Sequence, residues 1–155
     1  MNNAVMFSKA ADEWSTPQDF WLELDAEFDF EIDAAASAEN AKCRVWFGGL
    51  IDALTLKNWG RPYTSIWLNP PYSRCREFIA KAAREAQKGC TVVALVPSRT
   101  DTKWWHSDVW DAEKHQLRPG VEVRFVKGRL KFGSSANSAP FPSVVIVFRP
   151  VEQPA

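Results

Sequence analysis

No stretch of this 155-residue sequence approaches the roughly 20 apolar residues that a membrane-spanning helix needs. The N-terminus also lacks the basic-then-apolar order of a secretory signal. Both absences predict a protein that stays in the cytoplasm where it is made. Cysteines are three (Cys43, Cys75, Cys90), an odd number, widely spaced and without a CxxC pair, and only His106 and His115 offer nitrogen ligands. Free thiols in a reducing compartment are therefore expected, with no disulfide and no metal centre. Internal repeats and low-complexity tracts are missing. Net charge is zero, which taken alone argues against a simple polyanion binder.

The distribution of charge says otherwise. Residues 1–55 hold eleven acids against three bases, and residues 56–155 hold sixteen bases against eight acids. A basic second half can face phosphates, while an acidic first half suits a cationic ligand or simply solvates a surface. With 46% apolar and 13% aromatic residues, the chain can bury one sizeable core. We expect one domain over 1–155, its core about 14–149, with no separate target-recognition domain.

Hydrophobic periodicity divides the chain into alternating helices and strands. Ser15-Thr16-Pro17 reads as a helix opening with an N-cap and an early proline, followed by Phe20, Trp21, Leu24 and Phe28 at helical spacing. Phe28 to Asp33 alternates apolar and acidic as a strand does, and ends in the small-residue loop Ala34 to Ser37. Arg44 to Phe47 is a second short strand, stopped by Gly48-Gly49. Ser65 to Leu68 is a buried strand that the prolines of Asn69-Pro70-Pro71-Tyr72 must end. Arg74 to Lys88 reads as a helix with Phe78, Ile79, Ala82 and Ala86 inward, closed by Gly89. Thr91 to Val96 has the continuous β-branched character of a strand covered on both faces. A short helix over Thr102 to Trp110 and two strands, Val121 to Val126 and Val144 to Phe148, complete the pattern. The fold class is α/β, a mainly parallel sheet with a C-terminal antiparallel strand pair. Ligands of such sheets bind beyond the carboxyl ends of the strands, so the loops after Asp33, Leu68 and Val96 share the functional rim.

Asn69-Pro70-Pro71-Tyr72 is the segment that carries chemistry. Its prolines fix φ and remove two backbone donors, so the Pro70 carbonyl and the Asn69 side-chain oxygen can act together as acceptors. Tyr72 adds a flat ring. Two acceptors and a stacking face match a planar group bearing an NH2. Such an amine is conjugated with its ring and is a poor nucleophile. Accepting both its hydrogens favours the pyramidal, charge-developing nitrogen of a transition state, without a strong base.

Several further segments occur with this one: Trp14-Ser15-Thr16-Pro17, Asp33-Ala34-Ala35-Ala36, Asp52-Ala53-Leu54 with Trp59, Val96 to Asp101, and Gly128 to Phe132 ahead of Pro142-Ser143. In this order, over roughly Trp14 to Phe148, the sequence resembles the phage-type family of DNA N6-adenine methyltransferases. The resemblance implies a compact Rossmann-like fold that binds S-adenosyl-L-methionine, with DNA as partner and an adenine turned out of the helix as acceptor. It implies that Asn69, Pro70, Pro71 and Tyr72 form the catalytic turn, and that Ser15, Thr16 and Pro17 receive the methionine carboxylate. Asp33, with Ala34 after it, reaches the donor's amino group, a fitting partner for a cation. The family's glycine-rich loop is replaced here by Ala34 to Ala38. For the ribose hydroxyls Asp52 and Glu39 compete, and Asp52 is preferred because it matches the family's Asp-x-Leu segment.

Arg99, Thr100, Lys103, Trp104 and Trp105 follow a strand on the presumed rim, where they could contact phosphate or wedge beside a displaced base. Arg129 and Lys131 flank Leu130 on an expected strand and would present a basic edge. A glutamine-N5 methyltransferase acting on protein would use the same tetrapeptide, and a catalytically silent DNA-binding module is the alternative outside enzymes. The short span before the tetrapeptide and the final strand pair argue against the former, and the intact tetrapeptide against the latter. With few residues around the core, DNA specificity must come from loops, from a dimer, or be low.

Overall fold

The computed structural model describes residues 15–133 and 138–152. Trp14 and part of the loop 133–139 lie outside the described residues. The element order is α1 (Gln18–Phe28), β1 (Ile32–Asp33), β2 (Val45–Trp46), a 3-10 turn (Ala53–Thr55), β3 (Ser65–Leu68), a second 3-10 turn (Tyr72–Arg74), α2 (Cys75–Gln87), β4 (Thr91–Pro97), α3 (Lys103–Asp108), the short strands β5 (Trp110–Asp111) and β6 (Gln116–Leu117), β7 (Val121–Phe125) and β8 (Ser143–Phe148).

Six strands form one sheet in the order β2-β1-β3-β4-β8-β7. The ladders among β2, β1, β3 and β4 are parallel, and those of β4 with β8 and β8 with β7 are antiparallel. β7 therefore runs with the parallel set, and β8 alone is reversed. Side-chain alternation explains the unbroken apolar runs. Ile66, Leu68, Val92, Ala94, Val96 and Ile146 pack on one face against α2 and α3. Trp67, Val93, Leu95, Val145 and Val147 pack on the other against Trp21 and Leu24 of α1, with Phe132. Strands covered on both faces need no polar side.

α2 buries the expected Phe78, Ile79, Ala82 and Ala86, and also Lys81 and Glu85. Glu85, with no exposed surface, accepts from the Trp59 N–H, from Lys81 Nζ (3.3 Å) and from Lys88 Nζ (2.9 Å). Burial pushes its carboxyl up, but these donors outweigh it and hold the group below its ordinary range. Gly89, at φ +109, ends the helix where a Cβ would stand 2.9 Å from Pro62 Cβ.

Four local expectations are corrected. Phe28 to Asp33 is not one strand: α1 continues through Phe28, Asp29 takes the left-handed conformation (φ 52), and only Ile32–Asp33 joins the sheet. The apolar alternation there reflects aromatic packing, with Phe30 lying 5.8 Å from Phe28 and 5.5 Å from Trp67 between ring centroids. Thr16 does not cap α1, since Pro17 holds the N-cap position without a side-chain bond. The helix expected over Thr102 to Trp110 ends at Asp108, and Trp110 pairs instead with Leu117. Arg129 to Lys131 lies outside any strand, although Leu130 still packs inward while both cations are exposed.

Among the described residues no helix is long and apolar enough to cross a membrane.

Candidate active site

β1 lies between β2 on one side and β3 on the other, so chain order reverses between β1 and β3. Loops leaving such neighbours diverge, and the gap beyond their carboxyl ends is the site where ligands enter open α/β sheets. A cavity of about 680 Å³ occupies that place, within the range of small-molecule sites. Its walls come from the loop after β1 (Ala34 to Asn40), the segment after β2 (Phe47 to Ala53), and Asn69, Pro71 and Arg74 after β3.

The alanine loop needs no glycine here. None of Ala34 to Ala38 has a positive φ, and Ala34 N–H donates to the Trp67 carbonyl (2.9 Å) while Ala36 N–H donates to that of Phe47 (2.9 Å). The glycine requirement moves to the facing wall, where a Cβ on Gly48 would stand 1.7 Å from the Ala36 carbonyl oxygen.

Asp33 is 2% exposed. Its Oδ1 accepts from Ala35 N–H (3.3 Å) and its Oδ2 from Lys42 N–H (3.0 Å). Burial pushes the carboxyl up to about 6, against the pull of the two amides and of the Lys42 charge. Asp33 lines a small recess that opens between Ser15, Thr16, Lys42 and Asn69. Thr16 is buried, and its Oγ1 has no hydrogen-bond partner among the described residues. Ser15 lines both cavity and recess, and its carbonyl accepts from Gly133 N–H (2.8 Å).

Asp52 and Glu39 both line the cavity. Asp52 caps the first 3-10 turn by accepting from Leu54 N–H (3.0 Å), and its second oxygen pairs with Arg74 (3.0 Å). That side-chain bond to Arg74, and then the Leu54 amide, lower its pKa. Trp59 anchors the turn from below by donating its Nε1–H to the Ala53 carbonyl (2.9 Å).

Asn69 lines both the cavity and the recess, directly at the end of β3. Pro70 is buried, and Pro71 starts the turn that carries Tyr72. The Tyr72 ring meets Phe141 edge-on, with centroids 5.0 Å apart and planes at 87°. Phe141 is held on the same rim, because the Ser98 N–H after β4 donates to the Pro142 carbonyl (2.9 Å).

Arg99, Thr100 and Lys103 are exposed on the rim beyond β4, in a loop tied by Thr102 Oγ1 to the Arg99 carbonyl (2.7 Å). Trp104 and Trp105, expected to offer a ring to DNA, are corrected: they are 8% and 6% exposed and belong to the core under α2. Arg129 and Lys131 remain exposed, and the Leu130 carbonyl joins their segment to Ala139 N–H (2.8 Å), two residues before Phe141. Sequence reasoning missed Lys42, Gly48 and Arg74. Lys42 had a signal, being one of three bases in the first 55 residues.

A family model described as DNA N-6-adenine-methyltransferase (Dam) matches residues 4–155. A protein of Escherichia phage T1 named DNA N-6-adenine-methyltransferase is 34% identical over 95 residues, which are 61% of this chain and 39% of that protein. One of the same name from Haemophilus phage HP1 is 26% identical over 144 residues, 90% of this chain and 79% of its own length. The chain thus matches well under half of the phage T1 protein and most of the HP1 protein.

Proposed function

The chain belongs to the DNA N-6-adenine-methyltransferase (Dam) family, and we propose that it methylates the exocyclic N6 of an adenine displaced from DNA, using S-adenosylmethionine. The observation that carries this reading is the convergence of Asn69 and Pro71, the alanine loop and Asp52 around one cavity at the reversal point of the sheet. We read the sheet as a Rossmann-like methyltransferase domain acting in the cytoplasm of a bacterial host.

The residues present fit the donor. A buried threonine hydroxyl without a partner among the described residues, a buried carboxylate and a cavity of nucleoside size supply a polar end and a wide end. Ser15, Thr16 and Pro17 would hold the carboxylate end, Asp33 and Ala34 the amino group, and Asp52 the ribose. When bound, the donor supplies an electrophilic methyl group on a sulfonium centre.

The acceptor chemistry belongs to the chain's own residues. The Asn69 side-chain oxygen and the Pro70 carbonyl accept the two amine hydrogens, drawing the nitrogen out of conjugation as positive charge develops. Tyr72 stacks on the base, its ring held upright by Phe141. Arg99, Thr100, Lys103, Arg129 and Lys131 contact the backbone of the DNA.

The test is transfer of labelled methyl from the donor to unmodified DNA, with protein acceptors in parallel. Label in N6-methyladenine is the expected result. Label only in protein glutamine, or in nothing while the donor binds, would overturn the reading.

A further inference from the structure

β7 is the edge strand at the end of the sheet away from β2, and among the described residues no strand pairs with its outer side. Gly120 accepts the Arg149 N–H (2.8 Å) and the Val126 N–H donates to the Ser143 carbonyl (3.3 Å), so the even-numbered residues bond to β8. Val121, Val123 and Phe125 therefore turn their backbone groups outward. The Arg118 carbonyl takes the Val121 N–H (3.0 Å). The N–H groups of Val123 and Phe125, and the carbonyls of all three residues, have no backbone partner among the described residues. Exposed edges are commonly blunted by proline, by a bulge or by lysine. β7, Val-Glu-Val-Arg-Phe, has neither proline nor lysine, and its register on β8 is unbroken.

Its side chains divide by face. Val121 and Val123 pack on the side of the sheet covered by α2 and α3. Alternation puts Phe125 on that side too, yet it is 77% exposed. Glu122 and Arg124 lie on the α1 side, where Arg124 pairs with Glu27 (2.6 Å) and with Glu122, and Glu122 with Arg149 (2.7 Å).

We propose that β7 pairs antiparallel with β7 of a second copy of this chain, Val123 opposite Val123 on a two-fold axis. Outward backbone groups then meet outward backbone groups, with Val121 opposite Phe125, so that the exposed ring covers a half-buried valine of the other copy. Glu122 stands opposite Arg124 in the non-bonded pairs, where side chains of facing strands come closest. Sliding the strands to the next pairing open to the same outward groups sets Glu122 opposite Glu122, or Arg124 opposite Arg124. Like charges directly opposite destabilise a sheet. The five residues are thus complementary to themselves in one register, as an isologous interface requires. Because β7 runs with the parallel strands, this pairing points the functional rims of the two copies in opposite directions. Each rim stays open, and the pair does not bring two sites onto one recognition sequence.

Sedimentation velocity of the full chain over a concentration series, without DNA or donor, tests this. Wild type should pass from monomer to dimer. Glu122→Arg and Arg124→Glu should each weaken self-association at least about tenfold, since each sets like charges opposite one another. Mixed in equal amounts, the two variants should associate again, because each then meets the opposite charge. Phe125→Ser alters an exposed side chain, and Val123→Pro removes an outward N–H but no bond to β8. Both should weaken the dimer by a similar factor. A wild type still monomeric at roughly 1 mM would overturn the proposal. Wild-type association in both Phe125→Ser and Val123→Pro would do the same, whatever the charge reversals show. So would a mixture of the two reversed variants, each folded by circular dichroism, that associates no better than either alone.

Discussion

Replacing Asp33 by Asn removes a buried charge whose ionisation is tied to donor binding. Burial holds the wild-type carboxyl at about 6, so a cationic α-amino group finds its partner only in the ionised fraction. That fraction is roughly a tenth at pH 5 and roughly nine-tenths at pH 7, and apparent affinity should rise about tenfold between them. Titration with S-adenosylhomocysteine by calorimetry measures it directly, and buffers of different ionisation enthalpy at pH 6 should report proton release on binding. Asp33→Asn should bind more weakly at pH 7 and lose the slope. The same group affects folding with a definite sign. Its pKa is raised above the 3.8 of an unperturbed carboxyl, so the native state holds the proton more tightly than the unfolded chain does. Its contribution is complete below about pH 4 and is lost as pH rises through 6, amounting to about 3 kcal/mol. Unfolding free energy should therefore fall less between pH 4 and 7 in Asp33→Asn than in wild type. A wild-type affinity independent of pH, or a slope that survives in Asp33→Asn, would refute the reasoning.

Asn69→Ala should lower turnover by roughly 10²- to 10³-fold, the cost of a lost transition-state acceptor, while S-adenosylhomocysteine binding stays within a few-fold of wild type; Tyr72→Phe should keep much of the activity and Tyr72→Ala little, measured as methyl incorporation. Glu85→Ala strands Lys81 in the core with the Trp59 N–H unpaired, and should cost about 3–5 kcal/mol in urea unfolding with the m-value unchanged. Arg129→Ala with Lys131→Ala should weaken DNA binding at every sequence and reduce the salt slope by about 2, roughly one for each lost phosphate contact, leaving donor binding as it was.

Where burial and backbone chemistry agreed, the sequence was legible. Ser65 to Leu68 ends where Pro70 must end it, β4 extends only one residue past the expected strand, and the apolar spacing of α2 names the side chains it buries. The errors share a physical cause, because apolar alternation records burial rather than hydrogen bonding. Phe28 and Phe30 alternate because a helix end and a left-handed Asp29 deliver both rings to one aromatic cluster. Arg129 and Lys131 share an exposed side without a ladder partner, so their segment has the pattern of a strand and not its bonds. Trp104 and Trp105 both reach the core because α3 begins directly after the central β4 and is enclosed by α2. The cavity itself was legible only as a rim. Its closing contacts, Gly48 on Ala36 and Arg74 on Asp52, join positions distant in the chain, and no local pattern marks them.

The charge division between the two halves of the chain acquires a structural meaning under the proposed function. Acids of the first half that reach the site are Asp33 at the end of β1, Glu39 on the loop after it and Asp52 after β2, around the cavity and recess assigned to a cationic donor. Exposed cations of the second half, Arg99, Lys103, Arg129 and Lys131, stand on segments linked through Pro142 and Phe141 to the Tyr72 turn. Asn69 lies where the two sets meet. A net charge of zero therefore hides a site with two polarities, one for a sulfonium cofactor and one for a polyanion, and a chain average cannot reveal either. The exceptions sharpen the point. Lys42, a cation within the acidic half, lines the recess with Asp33 and donates its backbone N–H to that carboxylate. Arg74, a cation of the basic half, is held by Asp52 at the cavity wall, on the boundary between the two fields.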